Sequence, residues 1–70
     1  MANSERRKNI FNDIWQVMKK HENPDMSDGY WDSVIKDMEN VIAKHNSDKL
    51  AVGFAQLVLA DLEREAKGEI

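Results

Sequence analysis

The segment from Leu50 to Ala66 carries more apolar surface than a helix on the outside of a small monomer can use. At 3.6 residues per turn, Leu50, Val52, Phe54, Ala55, Leu57, Val58, Leu59 and Leu62 together cover roughly 220° of its circumference. A helix with one side in water needs an apolar arc of only about 100°. This helix is therefore either the centre of the fold or shared with another chain. The feature speaks to architecture and assembly, and says nothing of a reaction.

Length sharpens the point. Seventy residues make a single domain, 1–70. A chain this short buries only about 60% of the surface its unfolded form exposes, so it needs a staple. There is no cysteine, which removes disulfides and thiolate metal sites and fits a reducing cytoplasm. No apolar run reaches the roughly 18 residues of a membrane span, and Met1–Lys8 has no apolar core of a secretory signal. The expectation is a cytoplasmic protein without a membrane partner, stapled by a second copy.

The spacing predicts three helices, at about 4–21, 27–45 and 48–67. In the first, Ile10, Phe11, Ile14, Trp15, Val17 and Met18 follow i, i+3, i+4, i+7; Asn3 or Ser4 offers the N-cap, and Asn23-Pro24 ends the segment. In the second, Trp31, Val34, Ile35, Met38, Val41, Ile42 and His45 form an ordinary amphipathic stripe, with Asp25, Ser27 and Asp28 competing for its cap. Asn46 or Ser47 caps the third. Gly53 inside it costs about 1 kcal/mol relative to alanine, which points to close approach of another backbone. No strand signal and no internal repeat stands out. Short connections make the helices sequential neighbours, so the expected fold is an all-α, up-down-up three-helix bundle that oligomerises. Its expected core is Ile14, Met18, Val34, Ile35, Met38, Ile42, Phe54, Leu57 and Val58.

The net charge of −3 disfavours nucleic acid as a partner. Residues 1–22 carry +2, residues 23–46 carry −3 and residues 47–70 carry −2, so the first helix alone is basic. Arg6, Arg7 and Lys8 form its basic cluster, either pairing with the acidic helices or acting as a docking face. Catalysis finds no support in spacing: there is no local Ser-His-Asp or Cys-His arrangement and no glycine-rich phosphate loop. His21 reads as a solvated histidine at a helix end, and His45 as a partly buried one bonded to backbone. Asp25, Asp28 and Asp32 lack the donor pattern of a calcium loop and suit the positive end of a helix dipole. No metal or cofactor is implied.

Three further constellations concern binding and burial. Asp61 lies inside the apolar arc of the third helix, and Arg7 on the apolar side of the first; a buried Arg7–Asp61 pair would satisfy both. Tyr30 and Trp31 are either core or an anchor for a partner. Two neighbouring helices can cover Leu50, Phe54, Leu57 and Val58, which leaves Val52, Ala55 and Leu59 as the expected interface between copies.

The runs Tyr30-Trp31-Asp32, Lys44-His45-Asn46 and Leu57-Val58-Leu59-Ala60-Asp61-Leu62-Glu63-Arg64 resemble small proteins encoded in phages and prophages of Firmicutes, over roughly residues 10–66. The resemblance carries no assigned activity onto any residue. It implies an accessory protein of a mobile element that binds host proteins or sequesters small signals. The expected function is a non-enzymatic interaction module acting by stoichiometric binding, on itself and on an unidentified protein. The alternatives are an oligomer that sequesters a ligand such as a signalling nucleotide between subunits, and a nucleic-acid-binding regulator.

Overall fold

The computed structural model describes residues 3–69 and contains three helices packed against one another: α1 (Asn3–Lys20), α2 (Asp28–Lys44) and α3 (Lys49–Ala66). Among the described residues there is no strand. Each boundary lies within about two residues of the expected one. Ser4 is inside α1 and does not cap it; the side chain of Asn3 lies outside the described residues.

The ends of the other helices follow from local chemistry. Ser27 wins the competition for the α2 cap: its backbone is extended and its hydroxyl accepts from the Tyr30 N–H at 3.2 Å. Asp25 instead accepts from the Ser27 N–H at 2.7 Å, and hydrogen bonding from the Ser27 hydroxyl, then from that N–H, holds its carboxyl below the ordinary value. Asn46 and Ser47, the expected caps of α3, are both left-handed (φ 55° and 57°) and turn the chain between α2 and α3. The cap of α3 is Asp48, whose carboxylate accepts from the Leu50 N–H at 2.8 Å and from the Arg6 guanidinium. The Leu50 hydrogen bond and the Arg6 charge hold Asp48 below the usual carboxylate range against partial desolvation.

The core is built from Ile10, Ile14 and Val17 of α1, Val34, Met38 and Val41 of α2, and Ala51, Ala55, Val58 and Leu62 of α3. Ile10, Ile14, Val34 and Met38 are its largest sealed side chains, each contributing about 1.5–3 kcal/mol on burial. Met18, Ile42 and Phe54 pack against it half-buried. Two expected core residues lie outside: Ile35 is 45% exposed and Leu57 is 70% exposed. Ile35 lies at the edge of an α2 stripe whose buried positions are Val34, Met38 and Val41; for Leu57 the reason is the rotation of α3. It turns the small side chains Ala51 and Ala55 inward, where they let the helix settle closely on α1 and α2, and so turns Leu57 outward. Gly53 does not mediate an approach within the chain; a Cβ there would meet nothing within 4 Å.

Candidate functional site

α1 and α2 share a pattern that the sequence reading missed. Asp13-x3-Val17-x2-Lys20-His21 recurs 24 residues later as Asp37-x3-Val41-x2-Lys44-His45. Burial repeats with it: Ile10 matches Val34, Ile14 matches Met38, and half-exposed Phe11 matches half-exposed Ile35. Antiparallel packing turns the repeat into two reciprocal clamps. The His45 Nε2 donates to the Asp13 carboxylate at 2.7 Å, with Lys44 Nζ at 3.1 Å from the same oxygen. At the other end, His21 Nε2 donates to the Asp37 carboxylate at 2.8 Å, with Lys20 Nζ at 3.0 Å.

These clamps set the register of the α1–α2 hairpin. His21 is buried, not solvated, and His45 is half-buried on a carboxylate, not on backbone. Partial burial works to raise the Asp13 carboxyl, but hydrogen bonds and charge from His45 and Lys44 outweigh it and hold the group low. Hydrogen bonds from His21 and then Lys20 hold Asp37 low against a smaller effect of burial. No serine side chain hydrogen-bonds either ring among the described residues. Nor do three His, Asp or Glu side chains converge there as a metal-binding group.

The expected partner anchors serve the same hairpin. The Tyr30 hydroxyl donates to the His21 carbonyl at 2.7 Å, and its ring packs edge-on against Trp31 and His21. Burial, then the charges of Glu65 and Asp25, push the Tyr30 hydroxyl pKa up. Trp31 is half-buried between α2 and α3. Arg6, Arg7 and Lys8 are all exposed, with Arg6 engaged by Asp48. The Arg7–Asp61 pair does not form: both residues are exposed, and Asp61 meets Arg64 at 3.4 Å on its own helix.

The expected interface strip is also displaced. Ala55 is sealed in the core, and Val52 and Leu59 are half-buried. The surplus apolar surface of α3 instead meets α1 along an open groove. Phe11 (49% exposed) stacks edge-on against Phe54 with ring centroids 4.6 Å apart, and Leu50, Gly53 and Leu57 complete the wall. Trp15, one turn beyond Phe11 and 54% exposed, lines a second cleft between α1 and α3 with Glu22, Asp61 and Glu65. Helical spacing shows why. Phe11 and Trp15 are i, i+4 on α1, and Leu50, Phe54 and Leu57 are i, i+4, i+7 on α3, so both rows lie beside the shared seam. The signal was present in the width of the α3 arc; the choice of edge was not. No helix among the described residues is long and apolar enough to cross a membrane.

Comparison with known proteins gives no match: no family model, no curated protein and no solved structure matches this chain.

Proposed function

We propose that this chain is a non-enzymatic helical interaction module that acts by stoichiometric binding through the α1/α3 groove. One observation carries the reading. Phe11, Trp15, Leu50 and Leu57 are large apolar side chains left in water side by side, whereas buried side-chain polar atoms among the described residues all have partners. A fold that satisfies its polar groups and still exposes a contiguous aromatic and aliphatic row has that row for contact. Trp and Phe at the centre of such a row supply large rigid area at small entropic cost. The resemblance to phage-encoded accessory proteins is in keeping with a role by binding.

The test is site-specific photo-crosslinking in cells. A photoreactive residue at Leu57 should give discrete adduct masses, and the same residue at Lys36, on the exposed side of α2, should give none. Equal labelling at the two positions, or none at Leu57, would remove the groove from this role.

A further inference from the structure

We infer that the occupant of the α1/α3 groove is a second copy of this chain, seated with its α3 antiparallel across a two-fold axis level with Ala55. The inference rests on the reading of the groove as a binding surface and names its partner.

Charge is the first argument. α1 and α3 run parallel, so their N-termini share one end of the bundle, where Lys49 lines the groove and Lys8 is exposed on α1. Exposed Glu22, Asp61 and Glu65 line the opposite end, around Lys19 and an Arg64 already committed to Asp61. Two copies seated in parallel would set like ends together. A two-fold axis perpendicular to the helices sets the basic end of each against the acidic end of the other, and the surface is then self-complementary.

Register is the second argument. Lys49, Gly53, Leu57 and Asp61 form one i, i+4 ridge along the outward side of α3. A two-fold axis level with residue 55 places Leu57 of each copy over Gly53 of the other, and Lys49 of each beside Asp61 of the other. The same axis thus matches the most exposed large side chain with the one position on the ridge that has no side chain. Glycine is not required at 53 by anything in the single chain, since a Cβ there meets open space. In a helix interior glycine is disfavoured relative to alanine, and close packing of helices would explain its presence.

The experiment is light scattering and sedimentation of the unmodified chain from micromolar to several hundred micromolar. The mass should rise from 8.1 kDa towards twice that value. Leu57→Glu and Gly53→Gln should each weaken dimerisation at least about tenfold, roughly 1.4 kcal/mol, without loss of helical circular dichroism, because neither side chain is needed in the core. Lys49→Glu and Asp61→Lys should each weaken it about tenfold, and the two together should recover to within about threefold of the unmodified chain. A monomer mass over the whole range overturns the proposal. So does a dimer indifferent to Leu57→Glu, or one whose charge-swapped pair shows no recovery. If the chain is monomeric yet Leu57 still cross-links to discrete foreign proteins, only the identity of the partner fails. If it is monomeric and cross-links to nothing, the binding reading fails with it.

Discussion

At the scale of single residues, stability is concentrated in a few sealed side chains and two charged clamps. Ile14 is fully buried between α1 and its neighbours, so Ile14→Ala should cost about 2–5 kcal/mol, a large part of the stability of so small a domain. Thermal or urea unfolding checks this, and a shift of midpoint near zero would remove Ile14 from the core. The clamps predict a pH dependence with a definite sign. Asp13 and Asp37 ionise at lower pH in the folded chain than in the unfolded one, where aspartate has a pKa of about 3.9. Above that value both states are ionised and the stabilisation is fully present. As the pH falls through the depressed folded values the unfolded chain binds protons first, and the stabilisation is lost. Unfolding free energy should therefore drop below about pH 4, and the double variant Asp13→Asn, Asp37→Asn should lose that part of the slope. At neutral pH each single variant should cost about 1 kcal/mol, since the carboxylates are partly exposed and the lysines beside them largely so.

At the scale of elements, the sequence made three helices legible because apolar spacing and caps are local properties. Which residue wins a cap was not legible: Asp48 displaced Asn46 and Ser47 because both of those entered the left-handed region, a choice set by the angle at which α3 must return. That turn yields a prediction. Serine at φ 57° is strained where glycine is not, so Ser47→Gly should stabilise the chain by about 0.5–1 kcal/mol, read as a higher unfolding midpoint. The rotation of α3 was hidden for a related reason. An arc of roughly 220° contains several faces of adequate hydrophobicity, and the chosen one is decided by volume. Ala51 and Ala55 fit against Ile10, Ile14, Val34 and Met38, where Leu50 and Leu57 would hold the helices apart. The repeated Asp-x3-Val-x2-Lys-His pattern escaped notice because its partners pair across the hairpin, Asp13 with His45 and Asp37 with His21. Only antiparallel packing brings the two copies of the pattern into reciprocal contact.

At the scale of the whole molecule, the marginal core and the exposed groove make one argument. Among the described residues ten apolar side chains form the sealed core, two of them alanine, while Phe11, Trp15, Leu50 and Leu57 stay in water. Burial that the single chain forgoes would be available to it in pairs, and pairing would link folding to association. If the folded chain dimerises and the unfolded chain does not, its stability rises with concentration. Well above the dissociation constant the gain is half of RT ln 10, about 0.7 kcal/mol per protomer for each tenfold increase. For a domain of this size that corresponds to an unfolding midpoint about 3–6 °C higher per tenfold step. Leu57→Glu, with its dissociation constant raised at least about tenfold, should lower the midpoint at each concentration by at least about one such step and no further than that of the dilute unmodified chain, since Leu57 is mostly in water in the single molecule. Calorimetry across a hundredfold range of concentration, about two such steps, reads both effects at once. A midpoint that does not move over that range would place the stability of the fold within the single chain and leave the groove to a partner of a different kind.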